Sequence, residues 1–194
     1  MNRIQRIFSP VLVMVMALMV TACGFQLRGT IDASEIQNLS LEVSDRNFQR
    51  TLTRTLEQTG ITITEDAPYT VNVISLDREE TMTTTSGGGI VTDYDVVGTL
   101  NWQLVDKNGL VLIPKGELSQ YGTYQRRDGE YNASQSELEL VWSEIQRNLA
   151  FSLTRRIASL TNTELTTLTE EAIEAQEAAE KTAAQVRPSG LMSQ

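Results

Sequence analysis

SQSELELVWSEIQRNLAFSLTRRIASL, residues 134–160, carries the clearest periodic signal in the chain. Leu138, Val141, Ile145, Leu149, Leu153, Ile157 and Leu160 recur at helical spacing, which lines them up along one side of an α-helix. Ser134 followed by Glu137 reads as a capping box, in which each side chain satisfies a backbone amide left unpaired at a helix start. The expected helix, Gln135 to Leu160, would be about 39 Å long at ~1.5 Å per residue. A helix with one apolar side must cover something. The residues before it supply a sheet.

Leu39, Leu41 and Val43 alternate with polar residues, giving a first short strand. Ser44 or Asp45 can cap the helix that follows, Phe48, Leu52 and Leu56 form its narrow apolar stripe, and Gly60 can end it. Tyr69, Val71 and Val73 begin a second strand that runs on towards Leu76. Val96, Leu100, Trp102 and Leu104 share one face of a third, with Gly98 between them. Asn108-Gly109 suits a tight hairpin, and Leu110–Tyr124 reads as a fourth strand, with Pro114 at an edge or bulge. The order β-α-β-β-β-α predicts an α+β two-layer sandwich, with two helices packed on one face of a mixed four-stranded sheet. The other face would be polar, carrying Thr99, Asn101 and Gln103. The loops Thr81–Ile90 and Tyr124–Asn132 would be the tips of a sheet that reaches past its helices.

The ends of the chain have a different character. Residues 163–194 are rich in Thr, Glu, Ala and Gln without any aromatic residue, so a frayed helix or disordered tail is expected after a domain spanning 23–162. At the other end, Arg3 and Arg6 precede the apolar run VLVMVMALMV at 11–20. That run is too short for a bilayer core, which takes about 20 apolar residues, and fits a signal peptide over 1–22. Val20-Thr21-Ala22-Cys23 is similar to a bacterial lipobox, and Cys23 is the only cysteine. Lipid attachment at Cys23 is therefore expected; a lone thiol has no partner for an internal disulfide. Gly24, where sorting patterns for inner-membrane retention carry Asp, favours the outer membrane. Without Arg3 and Arg6 the formal net charge of −9 falls by two to −11, which argues against nucleic acid as a partner.

Little catalytic chemistry is on offer. Histidine is absent, which removes the usual general base and the commonest metal ligand. No zinc spacing, Walker loop or nucleophile elbow occurs, so no catalytic residue, metal or cofactor is expected. Gly87-Gly88-Gly89 lacks the lysine and following helix start of a phosphate loop and reads as a hairpin tip. Arg78, Arg126 and Arg127 fall at neighbouring strand ends beside Tyr121, Tyr124 and Tyr131. They could form a cationic spot for a phosphorylated glycolipid, or pair with the adjacent Asp77, Glu79, Asp128 and Glu130. Both readings stay open at this level.

The residues following the lipobox, Cys23-Gly24-Phe25-Gln26-Leu27-Arg28-Gly29, resemble the opening of the LPS-assembly lipoprotein family LptE. In that pattern Cys23, Gly24, Phe25, Leu27 and Arg28 occupy the Cys-Gly-aromatic-x-Leu-Arg positions. The resemblance implies an outer-membrane lipoprotein that plugs the LptD β-barrel, assists its assembly and takes part in inserting lipopolysaccharide into the outer leaflet. It also implies basic lipopolysaccharide contacts in the loop joining strands two and three and at the start of the last helix. Here those segments read TMTTTSGGGI and NASQSELEL, without Lys or Arg, so Arg78, Arg126 and Arg127 are the nearby substitutes. The alternative from a different class is an envelope lipoprotein that binds peptidoglycan or another secretion channel.

Overall fold

The computed structural model describes residues 35–86 and 91–186. In chain order the elements are β1 (Asn38–Val43), α1 (Arg46–Gln58), β2 (Thr62–Ile63), β3 (Tyr69–Ser86), β4 (Val91–Asp106), β5 (Val111–Arg127), α2 (Tyr131–Ala158) and α3 (Asn162–Val186). The strands form one mixed sheet in the order β2-β1-β3-β4-β5. β1 runs parallel to β2 and β3, whereas β3, β4 and β5 form an antiparallel meander. The architecture is α+β, with five strands and three helices among the described residues where four and two were expected.

The extra strand is only Thr62–Ile63, too short to announce itself by alternation. It is held by backbone bonds from Thr62 N–H to Gln37 O (2.8 Å) and Thr64 N–H to Leu39 O (3.0 Å). The extra helix is α3, whose start is tied down by the Glu35 carboxylate accepting from Asn162 N–H. Its first turns bury Leu165, and Leu168 and Ala172 pack against the core.

Local chemistry explains most boundaries. Asp45 caps α1 by accepting from the amides of Asn47 and Phe48, both at 2.8 Å. Gly60 follows α1 with φ 85°, the left-handed conformation that glycine adopts without penalty. Asp106 organises the β4–β5 turn by accepting from Asn108 and Leu110 N–H at 2.8 Å, and Gly109 has φ 84°. Partial burial alone would raise the Asp106 pKa; bonds from Leu110 and Asn108 and the charge of Lys107 outweigh it and hold it below the usual value. Pro114 sits on edge strand β5 where its register with β4 shifts, between Ile113 and Gly116.

The start of α2 differs from the capping-box reading. The helix begins at Tyr131, directly after Gly129 (φ 79°) has turned the chain, so Ser134 lies inside its first turn. There the buried Ser134 hydroxyl accepts from Arg127 N–H (3.2 Å), pinning the helix to the end of β5. Thr81–Ser86, expected as loop, continues β3 opposite Val91–Asp95, and β5 runs on to Arg127. Gly87-Gly88-Gly89 lies outside the described residues.

Phe48, Leu52 and Leu56 of α1 join Ile145, Leu149, Leu153 and Ile157 of α2 over Val71, Leu100 and Leu104 of the sheet. What lets α2 come so close is the absence of side chains beneath it. A Cβ on Gly122 would lie 2.5 Å from Val141 Cγ1. One on Gly98 would run into Ile145 Cγ2 and reach within 3.0 Å of Trp142 Cζ3. The two glycines form the seat on which the helix rests. Trp102 plays the reverse part at Gly116, spreading its indole over the partner strand's bare backbone.

Candidate functional site

Strand alternation decides which side chains meet at the far end of the meander. Val96, Leu100, Trp102 and Leu104 face the helices, so their cross-strand partners do too. The register pairs Arg78 with Gly98, Glu80 with Val96, and Met82 with Tyr94. It also pairs Tyr94 with Tyr124 and Thr92 with Arg126. Arg78, Glu80, Tyr94, Tyr124 and Arg126 thus share the helix face near the start of α2. Arg127, one residue on, ends the strand opposite Val91.

The contacts follow from this placement. Arg78 Nε lies 3.3 Å from Glu80 Oε1, and its Nη1 lies 3.5 Å from Glu139 Oε1 on α2. Its guanidinium also sits over the Trp142 ring, 5.5 Å from the centroid. Tyr124 donates to Glu80 Oε2 at 3.1 Å and stacks on Tyr94 with centroids 5.3 Å apart. Arg127 pairs with Glu130 at 3.6 Å. Ion pairs this exposed contribute about 0–1 kcal/mol each, so they fix geometry more than stability.

Arg126 is different. Among the described residues it has no ion pair. It lines two adjoining cavities: one of about 270 Å³ shared with Arg78, Glu80, Tyr124 and Tyr131, and one of about 290 Å³ shared with Tyr94 and Arg127. The structure therefore brings Arg78 and Arg126 together and sets Arg127 at the second cavity only. Tyr131 joins them, while Tyr121 lies on the opposite, solvent face opposite Val97. Sequence reasoning missed Tyr94, Glu80, Glu139 and Trp142. The alternation of β3 could have excluded Asp77 and Glu79 as partners of Arg78, since residues adjacent in a strand point to opposite faces. Cys23, Gly24, Phe25, Leu27 and Arg28 lie outside the described residues.

Burial, the hydrogen bond to Glu80 and that carboxylate's charge push the Tyr124 phenol up to about 12 from its ordinary value near 10. A raised folded-state pKa means the fold favours the neutral phenol. Its stabilising effect is complete below pH ~10 and is lost as pH rises from there through about 12. In a titration followed by phenolate absorbance, a late step near pH 12 is expected that Tyr124→Phe removes. A titration identical in wild type and variant would contradict this.

The described residues hold no group of three His, Cys, Asp or Glu side chains able to bind a metal ion. Nor is any helix among them long and apolar enough to cross a membrane. What the site offers is a guanidinium, stacked phenol rings and carboxylates in a crevice, which is equipment for binding.

Comparison with known proteins agrees with the fold. No curated protein matches the chain. A minor lipoprotein from Acinetobacter baumannii is similar in structure, with TM-score 0.56 and 20% identity over 64% of this chain and 92% of its own. An uncharacterized lipoprotein B from Nitrosomonas europaea gives 0.59 and 17% over 74% and 96%. The rare lipoprotein B from Shewanella oneidensis gives 0.55 and 18% over 63% and 94%. At such identities the likeness concerns the fold. The family model for lipopolysaccharide assembly, LptE, matches residues 29–157, from just after the CGFQLR opening almost to the end of α2. On that match the chain belongs to the lipopolysaccharide-assembly family LptE.

Proposed function

We propose that the mature chain begins at Cys23, is anchored there by lipid in the outer membrane facing the periplasm, and acts as plug and assembly partner of the LptD barrel during lipopolysaccharide insertion. The observation that carries this reading is family membership over residues 29–157, joined to the lipobox that precedes it. The fold supports it physically. On the face away from the helices, Asn101 donates to Ser75 (3.0 Å), which donates to Asp77 (2.6 Å). A sheet face finished in such polar groups suits the water-lined lumen of a barrel.

Co-purification from outer membrane, with the partner identified by mass, tests the barrel partnership. LptD is the expected partner, and depletion should lower both barrel maturation and surface lipopolysaccharide. Recovery of a different channel, or of peptidoglycan, without LptD would reject it.

Lipopolysaccharide contact falls on the crevice at Arg126, with Arg78 and the stacked tyrosines beside it. Charge-assisted hydrogen bonds contribute about 1.5–3 kcal/mol, and ~1.4 kcal/mol is tenfold in affinity. Arg126→Gln should therefore weaken lipopolysaccharide binding about tenfold or more. Arg127→Gln, which removes a guanidinium already paired with Glu130, should change it far less. Equal binding by wild type and Arg126→Gln, measured with LptD association intact, rejects this assignment.

A further inference from the structure

A second concavity lies on the helix layer, where α1 and α2 run side by side. This groove has a volume of about 890 Å³, and its walls include Arg50 and Arg54 of α1 and Arg147 of α2. In a chain whose formal net charge is −9, three arginines in one groove ask for a reason. Arg50 donates to Asn47 Oδ1 and to the Arg46 carbonyl, and Arg147 donates to Ser143 Oγ at 3.3 Å. Among the described residues, none of the three has a carboxylate partner. The groove's own two carboxylates are engaged elsewhere. Asp45 caps α1, and Glu139 is held by Arg78.

We propose that this groove binds a phosphate-bearing anion. Guanidinium groups present paired N–H donors that match phosphate oxygens, and here they approach from two helices, so a ligand between them is bracketed. Gln58, Gln146 and Asn148 add neutral amide donors along the same walls. The rest of the lining is mostly polar, with Trp142 and Phe151 its only large apolar side chains. The ligand is either a lipid headgroup or a water-soluble phosphate; the recognition chemistry is the same. This site shares no arginine with the crevice at Arg126 and does not depend on the lipopolysaccharide reading.

The test is calorimetric titration of the full-length chain in a non-ionic detergent. One arm uses inorganic pyrophosphate, and the other uses mixed micelles containing phosphatidylglycerol. Saturable binding that weakens about tenfold in Arg54→Gln, and further in Arg54→Gln/Arg147→Gln, is expected, with a steep loss at high salt. Arg126→Gln should leave it unchanged. Binding of pyrophosphate identifies a soluble phosphate, and binding of the micelles alone identifies a headgroup. All three arginines are exposed, and an unaltered melting temperature verifies that the variants fold. The proposal is overturned by absence of saturable binding in both arms or by undiminished binding in the double variant. It is equally overturned if poly-glutamate binds the groove in preference to either phosphate.

Discussion

Gly98→Val is expected to lower the unfolding free energy by about 3 kcal/mol, the upper end of the ~1–3 kcal/mol typical of overpacking. The reason is the seat beneath α2. Even the first carbon of a side chain at Gly98 collides with Ile145 Cγ2 and comes within 3.0 Å of Trp142 and 3.3 Å of Leu149. Ile145 and Leu149 are fully buried, so neither can swing aside into solvent. The helix must lift, and lifting it also withdraws Trp142 and Glu139 from Arg78. Denaturant unfolding of Gly98→Val and Gly98→Ala measures the cost. A cycle combining Gly98→Ala with Ile145→Ala identifies its source, because removing the colliding methyl should make the double variant more stable than the two single losses predict. Strict additivity would mean that the glycine is there for some other reason.

Cys23→Ala is expected to move the chain from the membrane fraction to the soluble periplasmic fraction without altering the melting temperature of the domain. Each buried acyl methylene contributes ~0.8 kcal/mol, so several chains hold a protein where one chain is marginal. No helix among the described residues offers a second route into the bilayer. Fractionation and intact-mass measurement decide the matter together. A wild-type mass without added acyl groups, or a variant that still sediments with membranes, would remove the anchor from the account.

How far the fold was legible depended on how local its determinants are. Phe48, Leu52 and Leu56 needed only a four-residue spacing, and Asn108-Gly109 only a turn preference; both stand as read. Ser134 shows the limit of local reading. A capping pair is defined by sequence spacing, but the start of α2 is set by the turn at Gly129 and by the end of β5 needing a partner for the Arg127 amide. α3 was expected as a frayed helix or disordered tail, and its packing on the fold was missed for a related reason. Leu165, Leu168 and Ala172 make a short apolar stripe within an acidic, low-complexity stretch, and its worth appears only when β5 lies beneath it.

The site divides along the same line. Arg78 and Arg126 were visible as scarce cations near strand ends, yet the partner that fixes Arg78 on α2 is 61 residues away in the chain. Tyr94 was overlooked because nothing in its own neighbourhood marks it. Its meaning comes from the register that places it opposite Tyr124. Chemistry assembled across strands is readable only once the register is known.

The outer edge of β5 has a consequence for how such molecules behave when crowded. An exposed strand edge invites another chain to add itself as the next strand, and from there to polymerise. Here Pro114 withholds an amide from any newcomer, the bulge around it bends the edge, and α3 lies along Leu110–Pro114. The opposite edge is β2, two residues long. At Leu110–Pro114 and at β2 the rim of the sheet is therefore a poor template for a further strand.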